Sequence, residues 1–211
     1  YLLTDEHKAK DQRQAGANAN RPKVCYKPAF HRLLPRNRPM EDVIEAGFAI
    51  VSPGDFTSVK TIASEIKNAS VASLARAKRL DIEYAWNAVK CAADPILHVF
   101  LATSDIHMKY KLNLTREEVK AQIRDSVSFA RSLCSTVEFS AEDATRSDLR
   151  FLAEVFQIAI DSGASVINVP DTVGYAVPEE MEKIITYLKE HLNLGDTIIS
   201  VHCHNDLGLA V

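Results

Sequence analysis

The sequence predicts an α/β domain with a parallel sheet, built as an incomplete (β/α)8 TIM barrel holding about six of the eight strands such a barrel uses. Three observations point there. From residue 41 onward, six short apolar runs alternate with five helical stripes, the pattern of βαβ units. The runs are mostly apolar throughout, as a sheet covered on both faces requires. Run after run ends in polar residues of reactive type, and a barrel carries its chemistry at the C-terminal ends of many strands. An open doubly wound sheet fits the first two observations equally well; the third favours the barrel.

The elements follow in order. Residues 42–50 (DVIEAGFAI) form the first run, closed by Ser52-Pro53-Gly54-Asp55. Phe56, Val59, Ala63 and Ile66 then recur at helical spacing. Residues 70–75 make the second run, and Ile82, Ala85, Trp86, Val89 and Ala93 the next stripe. The third run is 96–102 (ILHVFLA). Thr115 with Glu118 is a capping box opening a helix whose apolar face is Val119, Ile123, Val127 and Ala130. Residues 136–139 and the helix 149–160 follow, then the fifth run, 165–169. Pro178 suits a first helical position, with Met181, Ile184, Ile185 and Leu188 as the stripe behind it, and 197–201 is the sixth run.

Residues 1–40 read as a separate, irregular or disordered N-terminal arm, and 41–211 as the partial barrel domain. The arm carries nine Lys/Arg against three Asp/Glu, with Pro22, Pro28, Pro35 and Pro39, and sustains no helical or strand period. Its basic composition is shared by targeting peptides, although its prolines and acidic residues fit one poorly. The net charge of −3 gives no case for nucleic acid. Cys25, Cys91, Cys134 and Cys203 are scattered, which suggests free thiols in a reducing compartment. No apolar run approaches the roughly 20 residues that cross a bilayer, so a soluble protein without membrane or nucleic-acid partners is expected.

The polar strand ends hold the candidate chemistry. His202 and His204 are two apart on a strand, so both imidazoles face one side and can reach one metal ion. Two histidines at a wet strand end are the plainer alternative; the following Asn205-Asp206 and the carboxylates at neighbouring strand ends favour the metal. Cys203 between them points the other way and packs. Glu142-Asp143 could be an acidic pair at a helix start, and Asp171-Thr172 a loop cap. His98, inside an apolar run, could be a satisfied core histidine, and Tyr175 a packing aromatic.

Taken together, DVIEAGF (42–48), SPGDF (52–56), HVFLATSDIHMKYKL (98–112), VEFSAEDATRS (137–147), INVPDTVGY (167–175) and ISVHCHNDLGLA (199–210) resemble the 2-isopropylmalate synthase family, within the group that includes homocitrate, citramalate and methylthioalkylmalate synthases. The likeness runs from about residue 41 to the end. It implies that His202 and His204 ligate a catalytic divalent metal (Zn, Mg or Mn), that Thr172 hydrogen-bonds the carboxylate of a 2-oxo acid, and that Glu142 and His98 line the substrate pocket as catalytic candidates. Acetyl-CoA would be the co-substrate, condensed with 2-oxoisovalerate in leucine biosynthesis. Pro170 and His98 resemble isopropylmalate synthases more than methylthioalkylmalate synthases, and Glu138 stands where homocitrate synthases carry Arg. TSDIHMKYKL resembles plant-type sequences, which implies a plastid stroma, or the cytoplasm in another organism. A homodimer is implied for the full-length protein. A lyase of the hydroxymethylglutaryl-CoA type would share only the HxH pair. The family's D-T-T-L-R-D-G-x-Q strand, with a further metal ligand, has no counterpart in residues 1–40, and its last barrel strand and C-terminal subdomains have none before Val211. A fragment inactive alone, or a non-catalytic remnant pairing with a complete subunit, is therefore the expectation for these residues by themselves.

Overall fold

A computed structural model gives the architecture of residues 25–26 and 43–210. Seven strands form one sheet in sequential order: β1 (Cys25–Tyr26), β2 (Val43–Gly47), β3 (Ser70–Arg76), β4 (Pro95–Ala102), β5 (Val137–Glu142), β6 (Val166–Asp171) and β7 (Ile198–Cys203). From β2 to β7 every pairing is parallel. These six strands are the parallel sheet of a partial barrel, with a helix between each pair of neighbours. The two-residue β1 pairs antiparallel with β2, Cys25 opposite Glu45 and Tyr26 opposite Ile44. The other arm residues, Asp5 and Asp11 among them, lie outside the described residues.

Five helices connect the strands: α1 (Pro53–Glu65), α2 (Arg79–Val89), α3 (Arg116–Leu133), α4 (Leu149–Asp161) and α5 (Pro178–His191). Their starts are set locally. The Ser52 hydroxyl accepts from the Asp55 N–H at 3.1 Å, and the Asp148 carboxylate accepts from the Phe151 N–H at 2.9 Å, each satisfying a donor the first turn leaves orphaned. Thr115 and Glu118 form the expected reciprocal box: Glu118 Oε2 accepts from the Thr115 N–H at 2.8 Å, and Thr115 Oγ1 accepts from the Glu118 N–H. Pro178 opens α5. The second stripe overreaches, because α2 ends at Val89 and Ala93 lies beyond it.

Alternation along the strands divides the sheet into two faces. Val71, Ala75, Leu97, Val99, Val137, Phe139, Ile167 and Val169 are buried in the apolar core under the helices. There Phe139 meets Phe156 of α4 edge-to-face, with centroids 6.2 Å apart; full burial of each ring is worth about 1.5–3 kcal/mol. The alternate residues occupy the opposite, inner face, and many are polar: Glu45, His98, Glu138, Ser140, Asn168 and Ser200.

β2, Val43–Gly47, is shorter than its run, 42–50, whereas three later strands run further than theirs. β5 continues to Glu142, β6 to Asp171 and β7 to Cys203. The parallel ladder explains this, since Ala102 pairs with Glu142 and Asp171 with Cys203. Backbone hydrogen bonding carries the strand into residues whose side chains no longer need an apolar setting. As a result, Glu142, Asp171 and His202 stand at one end of the sheet, held by the ladder and not by loops.

Candidate active site at the C-terminal strand ends

Two polar layers occupy the inner face and its C-terminal rim. The deeper layer is centred on His98, which is 3% exposed. Its Nδ1 meets the Glu45 carboxylate of β2. Its Nε2 is 2.6 Å from Ser140 Oγ and 3.7 Å from Glu138 Oε1, both on β5. Asn168 Nδ2 on β6 donates to the same Ser140 hydroxyl at 2.7 Å. One residue from each of four strands is thus tied to its neighbours across the inner face. Among the described residues Asn168 Oδ1, fully buried, has no hydrogen-bond partner, and a buried acceptor left unmade is costly. His98 stands out in the sequence; Glu45 and Ser140 are visible there only as polar residues of the strand ends, and Asn168 not at all as a site residue. Their signal is polar residues at every second position of apolar runs, as in Glu138, Ser140 and Glu142.

The rim layer is organised by Asp143. It is fully buried and left-handed, at φ 65° and ψ 36°, a conformation that Asp tolerates better than most residues. Its carboxylate accepts from Ser104 Oγ at 2.5 Å, from Arg146 Nε at 2.7 Å and from His107 Nδ1 at 2.9 Å. Its N–H donates to Thr172 Oγ1 at 2.9 Å. Burial pulls the Asp143 pKa upward, but the Arg146 and Ser104 hydrogen bonds and the charges of Arg146 and His107 outweigh that and hold it below its ordinary value. Glu142 receives Lys111 Nζ at 2.5 Å and lies 4.0 Å from His107 Nε2. Ser104 and His107 reach these positions on a helical turn, Asp105–His107, that runs into a π-turn, Met108–Leu112. No apolar periodicity announces either turn.

The remaining candidates fall at the same rim. Asp171 does cap its own loop: Oδ2 accepts from the Ala176 N–H at 3.0 Å and Oδ1 from Thr145 Oγ1 at 3.1 Å. His202 and His204 lie on one side of the chain with ring centroids 5.1 Å apart and planes inclined by 27°. The His204 N–H donates to Asp171 O at 3.3 Å, which sets the histidine pair beside the Thr172 loop. Burial first, and the Asp171 carboxylate second, push the Cys203 thiol up. Cys91, Cys134 and Cys203 are all free. Tyr175 is 71% exposed and so is not a packing aromatic. Two imidazoles in this arrangement suit a divalent cation in kind, but no group of three His, Cys, Asp or Glu converges among the described residues. No helix of the described residues is long and apolar enough to cross a membrane.

The chain is 55% identical over 170 residues to a 2-isopropylmalate synthase of Dictyoglomus turgidum, covering 80% of this chain and 34% of that protein. It is 57% identical over 171 residues to that of Pyrococcus furiosus and 59% identical over 171 residues to that of Bacillus cytotoxicus, in each case covering 81% of this chain and 34% of the relative. The chain therefore spans about a third of the length of these curated relatives. In fold it is similar to a hydroxymethylglutaryl-CoA lyase from Pseudomonas aeruginosa, with a TM-score of 0.64 at 18% identity, covering 79% of this chain and 57% of that one. It also resembles the N-terminal domain of a putative aldolase from Bacteroides vulgatus, with a TM-score of 0.57 at 11% identity, covering 81% of this chain and 55% of that one. The HMGL-like family model matches residues 37–211, and the chain belongs to that family.

Proposed function

We propose that this chain is the strand-end half of the active site of a 2-isopropylmalate-synthase-like acyltransferase, which condenses acetyl-CoA with 2-oxoisovalerate in leucine biosynthesis. The observation that carries this reading is the 55–59% identity to proteins of that name, across the stretch that supplies both polar layers of the mouth. In this reading Thr172 takes the carboxylate of the 2-oxo acid through its hydroxyl. Glu142, kept close to Lys111 and His107, is the rim carboxylate placed to accept a proton. His98 acts through Ser140, whose hydroxyl it shares with Asn168, and the open Asn168 acceptor is available to a donor on a bound group. His202 and His204 would hold a divalent cation (Zn, Mg or Mn), which when bound supplies Lewis acidity to a ketone. A homodimeric full-length enzyme, in the plastid stroma or the cytoplasm, belongs to the same reading.

The test is release of free thiol from acetyl-CoA by the full-length polypeptide, with Zn, Mg or Mn added and 2-oxo acids supplied singly. Thiol release dependent on 2-oxoisovalerate is the expected result. A preference for pyruvate or for a longer methylthio 2-oxo acid would move the assignment to citramalate or methylthioalkylmalate synthesis. No release with any 2-oxo acid would leave a non-catalytic remnant as the better reading.

A further inference from the structure

Asp143 ties three strand ends together through one residue. Ser104 and His107 come from the segment after β4, Asp143 itself follows β5, and Thr172 follows β6. The hydrogen positions follow from chemistry. Asp143 is an acceptor held ionised, and it lies 2.9 Å from His107 Nδ1. Ser104 Oγ is also 2.9 Å from Nδ1, but its proton goes to Asp143 at 2.5 Å, so a bare nitrogen there would face only oxygen lone pairs. Nδ1 therefore carries the proton. In the neutral ring Nε2 is then bare, and it is the nitrogen that faces Glu142, 4.0 Å away. This is the less common tautomer of a free imidazole, so a specific partner must impose it. Thr172 is fixed in a parallel way. The Asp143 N–H occupies one lone pair of Oγ1, which turns the hydroxyl proton away from β5 and leaves it free to donate.

We propose that Asp143 is a positioning residue of this mouth: its carboxylate fixes His107 with the proton on Nδ1 and Nε2 toward Glu142, and its N–H fixes the Thr172 hydroxyl as a donor to a bound carboxylate. The Thr172 half rests on the function proposed above; the His107 half does not. The left-handed backbone at Asp143, unfavourable for a non-glycine residue, is accounted for by this junction, which needs the carboxylate and the N–H of one residue to point to two different strand ends.

Two measurements on the full-length polypeptide test it. Long-range proton–nitrogen spectra of histidine-labelled protein, with the His107 signal assigned by its loss in His107→Gln, read the tautomer of the neutral ring without any turnover. The wild type should show Nδ1–H, and Asp143→Asn should lose that preference. Neutral His107 protonated on Nε2 in the wild type overturns the proposal, and so does an unchanged tautomer in Asp143→Asn. Steady-state kinetics read the second half. Thr172→Ala should raise KM for the 2-oxo acid about tenfold or more, as expected when one oriented hydrogen bond worth about 1.4 kcal/mol is lost, with KM for acetyl-CoA moving less than about threefold; Asp143→Asn keeps the backbone N–H that holds Thr172 and should raise KM for the 2-oxo acid less than about threefold. Thr172→Ser, which keeps the hydroxyl, should hold KM near the wild-type value. An active wild type whose KM for the 2-oxo acid is untouched by Thr172→Ala, or is raised tenfold by Asp143→Asn, overturns the Thr172 half. A wild type without condensing activity overturns the proposed function instead, and leaves the His107 tautomer to decide the role of Asp143.

Discussion

Gly174 lies against Asp206 and His204 so closely that a Cβ on Gly174 would collide with the Asp206 carboxylate and touch His204 Cβ. Gly174 is also left-handed, at φ 62°. The loop after β6 and the loop after β7 therefore meet backbone to side chain, with a glycine at the point of approach. Gly174→Ala should destabilise the fold by about 1–2 kcal/mol, because it adds a left-handed alanine and a tight contact with His204 Cβ and forces the Asp206 carboxylate to move. Denaturant unfolding measures this. A stability equal to the wild type would show that the two loops part freely.

The deep layer makes a different prediction. His98→Ala would take away a hydrogen-bond partner from Glu45 and from Ser140 at once, in a place where His98 itself is 3% exposed. A loss of about 2–4 kcal/mol is expected, because buried polar groups deprived of partners are expensive. Ser140→Ala should cost less, about 1–2 kcal/mol, since it removes the shared hydroxyl and the histidine retains its Glu45 contact. Thermal and denaturant melts of the two variants give the order; the reverse order would mean that Ser140, not His98, is the hub.

Acid stability should trace Asp143. Its folded pKa lies below the ordinary aspartate value, so it adds stability that is present above about pH 4 and is lost as pH falls through the depressed value. Asp143→Asn cannot lose this increment, so its stability should fall less steeply between pH 5 and 2 than that of the wild type, and the gap between the two should narrow in acid. Melting temperature against pH measures both curves. Parallel curves would mean that Asp143 is not held ionised by its partners.

How much of this was legible in the sequence differs from one layer to the other. The strands and helices were, because Val137, Phe139, Ile167 and Val169 bury one face of β5 and β6 against helices whose stripes repeat at helical spacing. The strand ends were placed too early, since Glu142, Asp171 and His202 are polar and only the ladder keeps them in register. The histidine pair was visible from its spacing alone. The junction at Asp143 was not: Ser104, His107 and Thr172 are separated from it by 39, 36 and 29 residues, and no local period joins them. Asp143 itself looked like one half of an acidic pair at a helix start; it does stand just before the 3-10 turn Ala144–Arg146, but its burial and its role as a shared acceptor were not visible. Its left-handed backbone is a property of the folded chain that residue type only permits.

Metal binding gives the last prediction. His202 and His204 stand 5.1 Å apart between ring centroids on one side of the chain, and among the described residues no third His, Cys, Asp or Glu completes a site. A usable divalent site generally has at least three protein donors. The 211-residue chain alone should therefore bind Zn, Mg or Mn far more weakly than the full-length polypeptide, and should release no measurable thiol from acetyl-CoA with 2-oxoisovalerate. In the full-length polypeptide His202→Ala and His204→Ala should each lower metal affinity by more than the about 10–100-fold typical of losing an outer hydrogen-bond partner, and should abolish thiol release. Asp206→Asn, beside Gly174, should fall within that 10–100-fold range if its carboxylate orients His204. Metal titration followed by calorimetry, with the thiol assay in parallel, separates these cases. Robust turnover by the short chain would mean that two imidazoles and the rim suffice, and full activity in His202→Ala would remove the histidine pair from the site.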